Sequence, residues 1–301
     1  MMGRHELYRA GRVASGALLT IASLLAGAQT ASQSAALSGI AHVAIRVGDL
    51  ERSRAFYRLL GYEEAFAMEA GGSPTEAFFK INDRQFIELY PRRQPGQALG
   101  FMHVCFESPD LNALHQQYEA QDLKPTPAKK AGAGNLLFTV QGPEEPGLPA
   151  GLRPQATQHI EYTQYMPGSR HTLDRGKHLG ANRIAEEMVG AAIPVSDSAA
   201  ASAFYRAKFS FHPMAHSPER GIPALAIPGS ANNFIELVAA HEIAANEAPR
   251  LLPLRILFAV PDLKAARQKL RALGIQAGIH NHSLSIEDPD GNRITFIRSG
   301  Q

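Results

Sequence analysis

The chain has 301 residues, which is enough for two domains with cores of their own. Its composition, with 45% hydrophobic and 19% charged residues, is that of a soluble globular protein. A formal net charge of +2 argues against a dedicated nucleic-acid-binding protein, and the absence of tryptophan gives no support for anchoring at a membrane surface.

The N-terminus has the pattern of a signal peptide. Three arginines precede an apolar run over residues 13–28, which ends in small residues suited to cleavage after Ala28. The run is too short to span a bilayer comfortably. We therefore predict a signal peptide and spacer over residues 1–37, a periplasmic or secreted protein, and no membrane attachment after cleavage. An uncleaved or disordered tail is the alternative.

Four later segments each read as a strand, an aspartate and a helix. The aspartates are Asp49, Asp110, Asp197 and Asp262. Each stands where a helix N-cap is expected, because its carboxylate can accept hydrogen bonds from the free N–H groups of the first turn. Gly61 and Gly274 fit the left-handed position that ends a helix.

Short strands follow each helix, so each of the four modules is predicted to be βαβββ. The clearer strands are Ala77–Ile81, Gln85–Tyr90, Leu136–Val140 and His159–Tyr165. The predicted fold class is α+β: the modules pair into two curved mixed β-sheets, or half-barrels, with the helices outside. The predicted domains are residues 38–165 and 188–301, and the linker between them, 166–187, is rich in Gly, Arg and His.

The two halves are copies of one unit. The pieces Ala55-Phe-Tyr-Arg58 and Phe86-Ile-Glu-Leu89 recur as Ala203-Phe-Tyr-Arg206 and Phe234-Ile-Glu-Leu237, at one constant offset. A single offset over that span indicates a duplicated fold unit. The copies differ at His42, which becomes Gly190.

Ligand-type residues occupy matched positions in the first half. His42 and His103 lie on the opening strands of the first two modules, and Glu88 and Glu161 lie on their closing strands. A pseudo-twofold axis would bring both pairs to one point in a cup. Imidazole with carboxylate suits one divalent ion of Zn, Ni, Co, Fe or Mn.

The second half lacks this set. Its matching residues are Gly190, Glu236, Arg255 and Thr295. A guanidinium offers no lone pair and repels a cation. We therefore expect no metal in this half, and an ion pair between Arg255 and Glu236.

Five motifs resemble those of a known family. They are Ile40-Ala-His-Val-Ala-Ile-Arg-Val-Gly-Asp-Leu50, Ala55-Phe-Tyr57, Phe86-Ile-Glu-Leu89, Phe101-Met-His-Val104 and Asp288-Pro-Asp-Gly-Asn292. Over about residues 38–301 the chain resembles the vicinal oxygen chelate superfamily, which includes glyoxalase I, methylmalonyl-CoA epimerase, extradiol dioxygenases, and fosfomycin- and bleomycin-resistance proteins. The resemblance implies the fold, and the metal positions of the family map onto the four ligand candidates.

Strand alternation places further residues on the metal-facing side. As substrate-binding residues we predict Arg46, Tyr90, Cys105, Glu107 and Thr163. Arg46 could clamp a substrate carboxylate. It could equally reach solvent or pair with Glu107.

Two reaction classes and one binding role remain open. A substrate with adjacent oxygens could fill the free metal positions, with proton transfer through a metal-bound enediolate and with Glu161 or Glu88 as the catalytic base. This glyoxalase- or epimerase-like lyase or isomerase is the favoured prediction, because a dioxygenase normally uses two histidines and one carboxylate. The alternatives are an extradiol-type Fe(II) dioxygenase and a non-catalytic small-molecule binding or resistance protein. We expect a monomer or homodimer, with a small molecule and no nucleic acid as partner.

Overall fold

A computed structural model gives the fold of most of the chain. It describes residues 36–300 except 96, 144–158, 220, 240–250, 253–254 and 281. The predicted signal peptide and its cleavage site lie outside the described residues. None of the described helices has the length and apolar character needed to cross a bilayer.

The first half forms a curved mixed sheet. Its strands are β1 (Gly39–Val47), β2 (Glu63–Ala70), β3 (Ser73–Lys80), β4 (Phe86–Pro91), β5 (Leu99–Glu107), β6 (Lys129–Lys130), β7 (Leu136–Gln141) and β8 (His159–Gln164), in the order β2-β3-β4-β1-β5-β8-β7-β6. Helices α1 (Leu50–Leu59) and α2 (Leu111–Ala120) follow the two opening strands. The central pair β1–β5 is antiparallel, and each of the two is parallel to the closing strand of its own module. This arrangement is the predicted pseudo-twofold.

The second half repeats the plan. Its strands are β9 (Glu187–Val195), β10 (His212–Pro213), β11 (Ala224–Ala226), β12 (Phe234–Ala239), β14 (Arg255–Val260), β15 (Gly278–His280), β16 (Ser283–Glu287) and β17 (Arg293–Arg298), in the order β10-β11-β12-β9-β14-β17-β16-β15. Its helices are α4 (Ser198–Phe209) and α5 (Leu263–Ala272). The short strand β13 (Leu251–Leu252) instead pairs in parallel with β5 of the first sheet. The predicted α+β class, with four βαβββ modules in two curved sheets, is confirmed.

The predicted helix starts are also present. Asp49 accepts a hydrogen bond from the backbone N–H of Arg52 at 3.0 Å, and the side chains of the other three aspartates cap their helices in the same way. Gly61 and Gly274 have φ values of +85° and +76°, so both adopt the left-handed conformation expected after a helix.

The predicted linker holds more structure than its composition suggests. It contains a short helix, α3 (Arg170–Leu173), and its last residue begins β9. Lys80 of β3, which is fully buried, donates to the Asp174 carboxylate at 2.9 Å and to the Lys177 carbonyl at 2.8 Å. The segment is therefore fastened to the first sheet.

The two halves share one hydrophobic core. Tyr62 of module one stacks on Phe258 of module four with ring centroids 5.7 Å apart, and Phe106 of module two meets Phe211 of module three at 5.5 Å. The turn between β16 and β17 also contacts module one, since Asp290 accepts a hydrogen bond from the backbone N–H of Gly48 at 3.0 Å. Modules therefore pack crosswise, one with four and two with three.

Candidate metal centre

The strand register brings the four ligand candidates onto one concave surface. Ala44 of β1 lies opposite Glu88 on one side and His103 on the other. His42 points to the same face because it lies two residues from Ala44. Glu161 joins through β8, where it pairs with Cys105. We call this concave face of the first sheet, with its four ligand candidates, the first cup.

Neighbouring ligand candidates approach one another closely in the first cup. His42 Nδ1 is 3.0 Å from Glu88 Oε1, and His42 Nε2 is 3.1 Å from His103 Nε2 and 3.4 Å from Glu161 Oε1. The fourth separation, from His103 Nε2 to Glu161 Oε2, is 4.0 Å. Ligands about 2.1 Å from a zinc-like ion lie about 3 Å apart when adjacent. All four candidates therefore face one region of the first cup, where His42 meets Glu88 through Nδ1 and meets His103 and Glu161 through Nε2. A single ion would use only one of these two nitrogens, and the joint ligand set stays a prediction.

The spacing divides these atoms into two overlapping groups. His42, Glu88 and His103 form one group whose ligand atoms all lie within 4.8 Å of one another, and His42, Cys105 and Glu161 form the other. His42 belongs to both groups and is therefore the central ligand candidate.

Burial shifts the pKa values of the four ligand candidates. Desolvation lowers the pKa of His103 to about 4 and holds that of His42 well below its usual value, so both imidazoles are neutral and keep a lone pair. Desolvation also raises the pKa of Glu161 to about 7 and, together with the Glu161 charge, that of Glu88 well above its usual range. A cation between them would relieve the cost of these buried carboxylates.

The His42 and Glu88 side chains approach closely without a hydrogen bond, whereas His42 Nε2 lies within hydrogen-bond distance of His103 Nε2. His42 Nδ1 is buried and makes no hydrogen bond with any described residue, although Glu88 Oε1 is 3.0 Å away. Two side chains that bind the same ion can lie this close without a hydrogen bond between them. The donor set of two imidazoles and two carboxylates also suits a borderline divalent ion. The residues present therefore fit the predicted cofactor.

Tyr90 and Cys105 lie directly against the ligand candidates. The Tyr90 hydroxyl donates to Glu88 Oε2 at 2.9 Å and so fixes the orientation of that carboxylate. Cys105 is fully buried beside Glu161, and burial raises the pKa of its thiol well above the usual value. Tyr90 thus supports Glu88, and Cys105 lies against Glu161.

Other predicted substrate-binding residues have partners elsewhere. Glu107 forms an ion pair with Arg84 at 2.7 Å, and Thr163 donates to the Leu136 carbonyl at 2.9 Å. A role for either in binding substrate would require these contacts to break.

Arg46 lies farther along the β1 face of the first cup. It is paired in register with Tyr90, and it donates to the Ala98 carbonyl at 3.2 Å. The alternative ion pair with Glu107 is wrong. Glu107 is opposite Gly39, seven positions away on the antiparallel ladder, a distance of about 20 Å. Arg46 thus keeps the position predicted for a substrate clamp.

His171 is a further residue of the first cup, and the sequence reading missed it. It belongs to α3, is 2% exposed, and stacks on Tyr165 with ring centroids 4.4 Å apart. Phe66, Phe78 and Phe86 meet it edge-on. Neither ring nitrogen has a hydrogen-bond partner among the described residues. The histidine-rich composition of the 166–187 segment was the available signal, but nothing local showed that it folds back into the cup.

Replacing His171 with phenylalanine should make stability less sensitive to acid. Burial lowers the pKa of His171 to about 4, so as pH falls below about 6.5 the unfolded chain binds a proton that the folded chain does not. The parent protein loses stability over that window, and His171→Phe does not suffer this loss. The variant should therefore gain about 2 kcal/mol relative to the parent between about pH 7.5 and pH 5.

Urea unfolding of both metal-free proteins at the two pH values measures this gain. The exposed His212 offers a control, since His212→Phe makes the same chemical change outside the first cup. A stability difference between His171→Phe and the parent that does not change with pH would contradict the assignment.

The second sheet has a different arrangement at the matching positions. Arg255 contacts Glu236, as predicted, and it also contacts Glu219. The place of His42 is closed, because a Cβ on Gly190 would lie 2.8 Å from the Phe234 ring. Both groups of described side chains spaced to share an ion lie in the first cup.

Comparison with known proteins gives the family. A family model, the Glyoxalase/Bleomycin resistance protein/Dioxygenase superfamily, matches residues 39–147 and 182–296. The chain belongs to this superfamily. The match includes both halves, so each half is a superfamily unit, and the predicted resemblance to vicinal oxygen chelate proteins is confirmed. A search of curated proteins finds no match.

Solved structures share the fold at low identity. The 2,3-dioxygenase LapB from Pseudomonas sp. KL28 is 16% identical, with a TM-score of 0.63 over 88% of this chain and 94% of that one. A variant of homoprotocatechuate 2,3-dioxygenase from B. fuscum is 15% identical, with a TM-score of 0.59 over 88% and 72%. A hypothetical protein from Staphylococcus aureus is 9% identical, with a TM-score of 0.55 over 86% and 98%. At these identities the likeness extends to the fold alone.

Proposed function

We propose that this superfamily member is a metal-dependent enzyme that transfers a proton at a carbon beside the oxygens of a small substrate, in the manner of glyoxalases and epimerases. The observation that carries the proposal is the donor set of the first cup. Its four ligand candidates are two histidines and two glutamates, one from each of four strands. A divalent ion held there would act as a Lewis acid toward the substrate oxygens.

Glu161 is the better candidate for the base. Its side chain is 15% exposed, whereas that of Glu88 is 5% exposed and is held by the Tyr90 hydroxyl. A carboxylate that reaches the open side can accept a proton from substrate. Glu88 then serves as a fixed ligand. Arg46, on the same face, is placed to hold an anionic group of the substrate.

Ring-cleaving dioxygenase activity is the second candidate. Its supporting observation is the group of His42, His103 and Glu88, two histidines and one carboxylate whose ligand atoms lie within 4.8 Å. That composition is the one used by Fe(II) oxygenases. In this case Glu161 would not be needed as a ligand.

One experiment separates these functions. The metal content of the purified protein is measured first. The protein is then tested for deuterium uptake from solvent into α-hydroxyketones without oxygen, and, after anaerobic Fe(II) loading, for oxygen uptake with catechols.

Glu161→Gln should abolish deuterium uptake, and the exposed helix residue Glu119 provides a matched control in Glu119→Gln. Oxygen uptake that survives Glu161→Gln would replace the proposal with the dioxygenase. Tight substrate binding with neither reaction would indicate a binding protein.

Export belongs to the same proposal. The basic start, the apolar run and the small residues before Gln29 support it. We expect mass spectrometry of the protein from its native host to find a mature chain that begins near Gln29, outside the cytoplasm. An intact N-terminus on a cytoplasmic protein would contradict export while leaving the metal chemistry untouched.

A further inference from the structure

The concave face of the second sheet encloses a cavity of about 250 Å³. Its walls include Arg255 and Leu257 of β14, Ser283 and Ser285 of β16, and Arg293 and Thr295 of β17. In the repeat, Arg255 and Thr295 take the positions of His103 and Glu161. The cavity, which we call the second cup, therefore lies where the first sheet holds its metal ligands.

The guanidinium of Arg255 lies in the second cup at the position where the first cup would hold an ion. Arg255 is 8% exposed and is held from below by Glu236, which is fully buried and also accepts a hydrogen bond from the Ser217 hydroxyl at 3.1 Å. The Nε atom of Arg255 is buried and has no acceptor among the described residues. Nη1 of Arg255, which contacts Glu219 at the cavity wall, is the guanidinium atom that a ligand in place of Glu219 would meet.

Glu219 places a carboxylate against Arg255 in the second cup. Its carboxylate contacts the Arg255 guanidinium from the cavity wall, yet its side chain is 43% exposed. An exposed carboxylate gains little from such a pair, because water screens it. Glu219 can therefore swing away and leave the guanidinium to another carboxylate.

A second cation adds to the attraction for anions. Arg293 lies beside Arg255 in the register of β14 and β17 and also lines the cavity. It forms no ion pair with any residue that the structure describes, although Glu287 is its neighbour across β16. When Glu219 moves out, two guanidiniums face the cavity, and Glu236 neutralises only one of them.

We propose that the second cup is a binding site for a small organic carboxylate, which takes the place of Glu219 on Arg255. The planar guanidinium matches a carboxylate in a two-pronged hydrogen bond. The hydroxyls of Ser283, Ser285 and Thr295 supply polar contacts for the rest of the ligand. The cavity, about 250 Å³ and open on one side, has room for a small organic acid such as benzoate or succinate.

Calorimetric titration with benzoate and succinate tests the site. The titrations use the His42→Ala background, so that no carboxylate binds through a metal in the first cup and the result does not depend on the proposed function. Benzamide and succinamide are the uncharged controls of the same shape. We expect the two carboxylates to bind and the two amides not to bind.

Two substitutions assign the binding to the second cup. Glu219→Gln removes the competing carboxylate and should tighten benzoate binding by about tenfold. The exposed, ion-paired Glu186 gives a matched control, since Glu186→Gln changes the net charge equally but lies outside the cavity. Arg255→Gln should abolish binding, with its folding checked by thermal unfolding. If Arg255→Gln does not fold, the tighter benzoate binding expected for Glu219→Gln still assigns the binding to the second cup.

Three results would overturn the proposal. They are absence of carboxylate binding, equal binding of the amides, and equal affinities of the Glu219→Gln and Glu186→Gln variants. Each of them would leave Arg255 as a structural ion pair that fills the place of a lost metal.

Discussion

Replacing His42 with alanine should weaken metal binding by at least about 100-fold. Changes to residues that only support a ligand already cost about 10–100-fold in affinity, and His42 belongs to both groups of ligand atoms in the first cup. His103→Ala should have a similar effect.

Metal content and competition with a coloured chelator measure this loss. His212 is exposed and lies on β10 of the second half, so His212→Ala is a control that should leave the metal unchanged. A stoichiometric ion in both His42→Ala and His103→Ala would show that the metal site lies elsewhere.

Replacing Lys80 with methionine should lower the free energy of unfolding by about 3–5 kcal/mol. Lys80 is fully buried and binds Asp174 at 2.9 Å and Asp83 at 2.8 Å. Methionine fills similar space but leaves the Asp174 carboxylate, which is 7% exposed, with His178 as its remaining ionic partner. An uncompensated buried charge is the main cost, and the loss of the tether between β3 and α3 adds to it.

Urea unfolding gives the size of this effect. Lys177 donates to the Leu173 carbonyl from an exposed position in the same segment, so Lys177→Met should change stability by less than about 0.5 kcal/mol. Adding Asp174→Leu to Lys80→Met should recover part of the loss, because it removes the stranded charge. Equal stabilities of Lys80→Met and Lys177→Met would mean that the buried ion pair does not hold the segment.

The parts of this structure that depend on local rules could be predicted from the sequence. The aspartates that begin the helices act within one turn, so each helix start can be recognised without knowledge of the fold. The candidate ligand positions His42, Glu88, His103 and Glu161 could be predicted because a duplication supplies an internal comparison. Periodicity then places each of them on the concave face.

The parts that depend on distant contacts could not be predicted. His171 enters the first cup from a segment without a regular pattern, and the Tyr165 ring that it stacks on lies on the far side of a turn. Asp83 is a local partner of Lys80, but its buried partner Asp174 is more than ninety residues away. A lysine at the end of the apolar run Ala77-Phe-Phe-Lys80 was a visible anomaly, but its sequence alone does not name the carboxylate that compensates it.

The crosswise core has a consequence for how such a duplicated gene can change. Tyr62 on Phe258 and Phe106 on Phe211 make each half a supporting wall of the other. The residues on the concave face of one half can differ without disturbing this packing, as Gly190 and Arg255 illustrate, whereas loss of that half would expose the interior of its twin. A half without the metal-ligand set can thus be retained for its packing, and its concave surface is free to acquire a different use.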